Sequence, residues 1–251
     1  MTDTVERFSN RVENYARYRP DYPREIIAHL KEQDALTDDS IIADIGCGTG
    51  LSTKMFLENG NPVYGIEPNA AMRAAAVEYL KDFPNFTPVD GTSNETTLPD
   101  SSIDLVVAAQ AFHWFDRDKA KAEFERILRP GGHVVIIWNE RQLDTTPFLI
   151  EYEQLLLRYA TDYLVVRHEN ITADSVREFL GPEMQMMTFP NIQIFDLEGL
   201  KGRMLSSSYM PAEGDAVYDE MIDELRSLFA KHNESGRIKV FYDTNVYLSQ
   251  L

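Results

Sequence analysis

A chain of 251 residues, 43% apolar and 26% charged, has the composition of a soluble globule and the length for one large α/β domain or a domain with a lid, and two full independent domains would be crowded in it. Its 24 basic against 41 acidic residues give a formal charge of −17. That excess argues against nucleic acid or an anionic membrane surface as partner, since such binding rests on phosphate neutralisation by Lys and Arg. Cys47 is the only cysteine, so no intrachain disulfide forms.

The opening residues MTDTVERFSN carry no apolar signal core, and no segment approaches the roughly 20 apolar residues of a membrane span, so the expected location is the cytosol. Residues 11–23, RVENYARYRPDYP, are polar and aromatic, and their two X-Pro steps favour extended or turn backbone. Pro23 stands at a good helix start, with Ile26, Ile27 and Leu30 as an apolar stripe up to about Lys31.

From residue 41 a rhythm begins: strand IIADIG, helix LSTKMFLENG, strand PVYGIE, helix NAAMRAAAVEYLKDF, short strand FTPVDG, strand IDLVVAAQAF, helix DKAKAEFERILRPGG, strand HVVIIWNE. Such alternation predicts right-handed crossovers and a Rossmann-like, doubly wound, mostly parallel sheet covered on both faces. After residue 140 the rhythm breaks. Residues 147–162 and 172–180 read as helices, the second with Thr172 as N-cap, followed by a strand at 192–197, a helix at 213–231 and an alternating strand from 238 to the end. The expected organisation is a single domain: an N-terminal flap and helix (1–35), a cofactor-binding core (36–140), a helical lid (141–190), and C-terminal elements (191–251) that close the sheet with an antiparallel strand pair.

In a doubly wound sheet the first strand-to-helix turn is the usual ligand site. Here Gly46, Gly48 and Gly50 let the backbone take positive φ and approach a ligand, and the helix from Leu51 offers free N–H groups. Glu67 ends the next strand, 21 residues after Gly46, at the distance from which an acid meets a ribose diol. The G-x-G-x-G spacing departs from the dinucleotide pattern G-x-G-x-x-G, and a nucleoside without phosphates fits it better.

On these residues the chain resembles the class I S-adenosylmethionine-dependent methyltransferases: ADIGCGTG is similar to the family's first motif, GIEP to its second, and RILRPGGHVVIIWN to its late helix-turn-strand signature. YARYRPDYP, AAQAFHWFD and the terminal YDTNVYLSQL resemble the branch of trans-aconitate methyltransferase-like small-molecule enzymes. The resemblance implies S-adenosyl-L-methionine as cofactor. It places Asp44 and the turn of Gly46, Cys47, Gly48 and Gly50 at the methionine part, Glu67 on the ribose hydroxyls and Pro68 at the adenine edge. It also implies Thr92 and Ser93 near the adenine, where the acid usual in the family is missing and Asp90 precedes, and Gln110 and Ala111 near the sulfur.

The sulfonium methyl is already activated, so transfer asks mainly for alignment and exclusion of water, and no metal is expected. The five histidines and one cysteine show no ligand spacing. His113 and Trp114 follow the fourth strand, beside the expected methyl position; His113 is a candidate general base for a hydroxyl or amine acceptor, and a carboxylate acceptor needs none. Tyr15, Tyr18 and Arg19 are candidates for a flap over cofactor and substrate, by cation–π and carboxylate contacts, or for a staple on the core. Arg158, Arg167, His168 and Arg203 are the cations of the lid region. Two rivals stay open: a catalytically silent cofactor-binding regulator, and a nicotinamide-dependent oxidoreductase.

Overall fold

The computed structural model describes residues 18–161, 163, 171–207 and 209–251. In chain order these give α1 (Glu25–Glu32), β1 (Ile42–Ile45), α2 (Leu51–Glu58), β2 (Val63–Ile66), α3 (Ala70–Tyr79), β3 (Phe86–Val89), β4 (Ile103–Ala109), α4 (Arg117–Ile127), β5 (Leu128–Arg141), α5 (Pro147–Tyr159), α6 (Ala173–Leu180), β6 (Gln185–Phe195), α7 (Leu197–Leu205), α8 (Tyr218–His232) and β7 (Ile238–Gln250). One 3-10 turn, Phe112–Trp114, follows β4. The strands form a seven-stranded sheet in the order β3-β2-β1-β4-β5-β7-β6.

The β1–β2, β2–β3, β1–β4 and β4–β5 pairs are parallel, as the strand-helix rhythm predicts. β7 runs the other way. Gln142 N–H donates to Phe241 O and Leu251 N–H to Gly132 O, so partner numbers fall along β7 as they rise along β5. Side-chain bonds from Thr188 to Asn245 and from Tyr242 to Gln193 give β6 and β7 the same opposed sense. This is the antiparallel C-terminal pair expected from the alternating tail.

The chain divides into two compact units. The core unit comprises Asp21–Asn139, Ile171–Phe189 and Thr244–Leu251; the second comprises Met1–Pro20, Glu140–Asn170 and Pro190–Asp243. In the core unit, side chains alternate along each strand. Ala43, Ile45, Val106, Ala108, Val134, Ile136 and Trp138 join one buried cluster with α4 and α6, whereas Ile42, Leu105, Val107, Val135 and Ile137 join another with α1 and α2. A parallel sheet is covered on both faces in this way, which is why its strands read as nearly continuous apolar runs. The second unit has its own cluster, built by α5, α7 and α8 around Tyr152, Leu200, Met204, Leu225 and Tyr242.

Several boundaries differ from the sequence expectation. The helix expected to run to residue 132 stops at Ile127, because Leu128 is already extended (φ −69°, ψ 139°) and Pro130 cannot continue a helix. The strand expected at 192–197 is β6, which starts seven residues earlier at Gln185. Pro190 lies within it, and an edge strand tolerates the missing N–H. Asp196 and Leu197, read as strand, are the N-cap and first residue of α7, with Asp196 Oδ1 accepting from Gly199 N–H at 2.8 Å. Gly199 and Gly202 hid this helix. Gly202 is required there, since a Cβ would come within 2.2 Å of the Tyr18 ring.

A buried carboxylate pins the loop after β3. Glu123 of α4 accepts from Thr96 N–H (2.7 Å) and Thr96 Oγ1 (2.5 Å), and Arg126 donates to both its oxygens. Burial pushes Glu123 up, but the Arg126 and Thr96 hydrogen bonds outweigh it and hold the carboxyl at about 2. Because its folded value lies below the ordinary 4.5, the stability it contributes is full above 4.5 and is lost as pH falls toward 2. The lowering corresponds to about 3 kcal/mol. Glu123→Ala is therefore expected to lower the stability measured in urea by 2–4 kcal/mol at pH 7 (roughly, from the loss of a hydrogen-bonded buried charge) and to show less of a difference from wild type at pH 3. An equal loss at both pH values would contradict the charge-linked account.

Candidate active site

In the order β3-β2-β1-β4-β5 the direction of winding reverses between β1 and β4, and the crevice outside the carboxyl ends of strands at such a reversal is where ligands bind. The turn from β1 to α2 borders it. Gly46 has φ +70°, and a Cβ there would stand 2.7 Å from Ala111 Cβ, so only a residue without a side chain lets this turn pass the end of β4.

Asp44, at the end of β1, is fully buried. Its Oδ2 accepts from Ser52 Oγ (2.7 Å) and Thr53 Oγ1 (2.6 Å) in the first turn of α2, while Oδ1 is buried without a partner. Burial pushes the carboxyl up to about 6, against the lowering effect of the two hydroxyls and with a further push from Glu67. Thr49 Oγ1 and Gln110 Oε1 are likewise buried and unpartnered. Polar atoms buried without partners are rare and costly, so each of these three makes its place a candidate for a ligand that supplies the missing bond.

Glu67 follows β2 and is 7% exposed. One oxygen accepts from Gly48 N–H at 3.0 Å, the other from Asn69 N–H at 2.8 Å. Each oxygen retains a lone pair for a further donor. Burial raises its pKa, countered by those two backbone bonds and by Arg73. Arg73 donates to Glu67 O at 2.5 Å and pairs with Asp90 at 3.0 Å, and Asn69 caps α3 by accepting from Ala71 and Met72 N–H. The acid ending β2 is thus braced from three sides.

Pro68, beside it, is exposed. After β3, Thr92 and Glu95 close a tight bridge, Thr92 Oγ1 accepts from Asn94 N–H and Ser93 Oγ donates to Asn94 Oδ1. Asp90 does not stand free, being the counter-ion of Arg73. After β4, Gln110 takes φ +55°, an uncommon conformation for a residue with a side chain, and its Nε2 donates to Asn139 O at 3.0 Å. Asn139 Oδ1 in turn accepts from Thr244 Oγ1. Ala111 is 5% exposed. His113 and Trp114 sit in the 3-10 turn and are exposed, Trp114 at 51%. The His113 ring lies 4.2 Å from that of Trp114 and 5.3 Å edge-on from that of Trp138. Cys47 is buried, and burial pushes its thiol well above the ordinary value, leaving a poor nucleophile.

Asp44, Gly46, Cys47, Gly48, Gly50, Glu67, Pro68, Thr92, Ser93, Gln110, Ala111, His113 and Trp114 thus all follow or end parallel strands of the core unit. Tyr18 and Arg19 belong to the second unit, where the Tyr18 ring packs on Gly202, Gln193 donates to Tyr18 O and Arg19 Nη2 donates to Ser206 O at 3.2 Å. Tyr15, Arg167 and His168 lie outside the described residues. Arg158 pairs with Glu224 at 2.8 Å on the surface of the second unit. Residues that sequence reasoning missed are Ser52, Thr53, Asn69, Arg73 and Asn139. The Ser-Thr pair directly after Leu51 carried a signal, as first-turn hydroxyls opposite an acid eight and nine residues back.

A sheet of this order with a glycine turn after β1 and an acid after β2 defines a Rossmann-like nucleoside-binding protein. Residues 43–136 match the family model described as a methyltransferase domain. An uncharacterized methyltransferase-like protein of Schizosaccharomyces pombe is 27% identical over 98% of this chain and 96% of its own length. An uncharacterized methyltransferase of Mycobacterium bovis is 38% identical over 53% of this chain and 52% of its own. Among solved structures, one described as a type II methyltransferase from Anaeromyxobacter dehalogenans shares the fold with a TM-score of 0.71 and 23% identity, over 93% of this chain and 98% of that one. The chain thus carries a methyltransferase domain at residues 43–136 and resembles methyltransferase-like proteins along nearly its whole length.

Proposed function

We propose that this enzyme methylates a small molecule at a hydroxyl or carboxylate oxygen, with the crevice outside β1, β2 and β4 as its cofactor site. The observation that carries this reading is Asp44 Oδ1, an acceptor buried without a partner beside a turn that has no room for a side chain at Gly46. The residues fit S-adenosylmethionine: Asp44 matches the ammonium of its methionine part and Glu67 its ribose diol, and a nucleoside without phosphates needs no cation there. Pro68, Thr92 and Ser93 border the adenine in this reading, and Gln110 and Ala111 the sulfur. Bound there, the cofactor supplies an activated methyl.

The chain's own residues then do the rest. Glu67 is held rigid by Arg73, Asn69 and Gly48, so little ordering cost falls on binding. His113 and Trp114 present an imidazole and an indole to the acceptor, and the imidazole takes the proton of a hydroxyl acceptor as the new bond forms. A carboxylate acceptor leaves His113 a packing role. A small acceptor also accords with the charge of −17. Among the described residues no helix is long and apolar enough to cross a membrane.

Two measurements divide these roles. Glu67→Gln is expected to weaken S-adenosylhomocysteine binding by roughly 10- to 100-fold in calorimetry, the scale of a lost charged hydrogen bond. His113→Ala should leave that affinity unchanged and lower turnover about 100-fold if the acceptor is a hydroxyl. Transfer of labelled methyl to a metabolite mixture, with mass detection, identifies the acceptor. Unaltered affinity in Glu67→Gln would remove the ribose assignment, and NADH binding in place of S-adenosylhomocysteine would replace the reading by an oxidoreductase.

A further inference from the structure

Arg203, in α7, is 6% exposed, and no carboxylate pairs with it among the described residues. Its Nε donates to Tyr242 Oη at 3.2 Å and its Nη1 to Ser206 Oγ (3.4 Å) and Ser207 Oγ (3.3 Å). Nη2 has no acceptor among the described residues. A guanidinium stays charged in any protein environment, so this is a buried cation held only by long bonds to neutral hydroxyls. Buried Tyr152, Tyr209, Leu200 and Met204 belong to the same cluster and lower the local dielectric.

The same unit shows how a buried arginine is ordinarily satisfied. Arg141, 7% exposed, pairs with Glu153 and also donates to Tyr163 Oη at 3.1 Å. Among the described residues Arg203 has no such acid. A second guanidinium engages the same residue, since Arg19 Nη2 donates to the backbone oxygen of Ser206, whose hydroxyl Arg203 contacts.

We propose that Arg203, with Ser206, Ser207 and Arg19 beside it, is the receptor for a carboxylate of a small organic acid, which enters as the missing counter-ion. The inference goes beyond the methyltransferase reading, because it assigns a carboxylate-binding site within the second unit by itself. The planar fork suits carboxylate and phosphate alike, and the apolar, aromatic surroundings of Arg203 favour the less strongly hydrated carboxylate.

The test uses the full chain with succinate, malonate, citrate and benzoate as probes, succinamide as the uncharged control and inorganic phosphate as the competing oxyanion. At least one carboxylate is expected to raise the wild-type melting temperature saturably, and Arg203→Met to bind it roughly 10- to 100-fold more weakly. Succinamide should do nothing. Without ligand, Arg203→Met should melt at or above wild type, since an uncompensated buried charge has been removed. Arg203→Lys keeps the charge without the fork and is expected to bind at an intermediate level. A response to phosphate alone, no wild-type response to any carboxylate, or equal responses in wild type and Arg203→Met would overturn the proposal. A ligand-free Arg203→Met that melts well below wild type would mark Arg203 as structural and overturn it too. S-adenosylhomocysteine binding is measured on the same samples: if it is intact while carboxylates fail, only this inference falls, and if it is absent while carboxylates bind, the methyltransferase site falls instead.

Discussion

Asp44→Asn is expected to bind S-adenosylhomocysteine at least about 100-fold more weakly than wild type while its ligand-free form becomes more stable, by about 1–2 kcal/mol at pH 7. Asp44 is a buried anion with one oxygen satisfied by two hydroxyls and the other by nothing. Its folded pKa, about 6, lies above the ordinary 3.8, so the native state holds the proton more tightly than the unfolded chain. The sign follows: the penalty on folding grows as pH rises from 3.8 to 6 and is complete above 6, where it amounts to roughly 3 kcal/mol. Asparagine removes the charge, keeps an acceptor for Ser52 and Thr53, and should flatten that part of the stability–pH curve. Alanine is the poorer probe, because it leaves both buried hydroxyls without an acceptor and so confounds binding with folding. Urea melts of both proteins between pH 4 and 7, with calorimetry at pH 7, decide the matter. A variant that is less stable at pH 7 and still binds the cofactor normally would show that Asp44 is a structural acid.

Gly46→Ala should lower stability by about 3 kcal/mol, adding the cost of a left-handed residue with a Cβ to that of an overpacked contact. For a chain of this size that is on the order of 10 °C in melting temperature. The backbone there has φ +70°, and the new methyl would meet Ala111 Cβ at 2.7 Å, where neither partner is a flexible side-chain end. The two contributions can be separated. Adding Ala111→Gly to Gly46→Ala removes the clash and leaves the backbone strain, so the double variant should recover about half the loss. Full recovery would mean that the left-handed conformation costs nothing here, and no recovery would mean that the turn had moved away from β4. Cofactor affinity should fall in the single variant, because the turn that passes β4 is the one that borders the crevice.

Much of the core unit could be read directly from the chain. β1, β2, β4 and β5 are short apolar runs separated by amphipathic helices, and two-faced burial of a parallel sheet produces that pattern from neighbouring residues alone. Thr172, expected as an N-cap, does cap α6 in a full capping box with Ser175, a device complete within four residues. What went unread depends on distant partners. α7 contains Gly199 and Gly202, poor helix formers whose use is clear only once the Tyr18 ring is packed on Gly202. The length of β6 was concealed by Pro190, which only a place at the sheet edge excuses.

Within the candidate site, Gly46 and Glu67 were marked by spacing, because a strand-turn-helix unit fixes which residues end its strands, and Asp44 by the resemblance of ADIGCGTG to a family motif. Arg73, Asn69, Ser52 and Thr53, which brace those acids, had no motif to mark them. Ordinary polar residues acquire such a role only when helix and strand ends meet. The state of each charge was equally out of reach of the sequence. Asp44 raised to about 6 and Glu123 held at about 2 are both acids in apolar surroundings, and they differ in whether the folded chain brings an arginine to them. Local sequence determined the strand-helix alternation and the turn, since both arise from interactions between near neighbours. Tertiary structure alone decided which buried charges found partners, because desolvation and pairing depend on residues tens of positions apart in the chain.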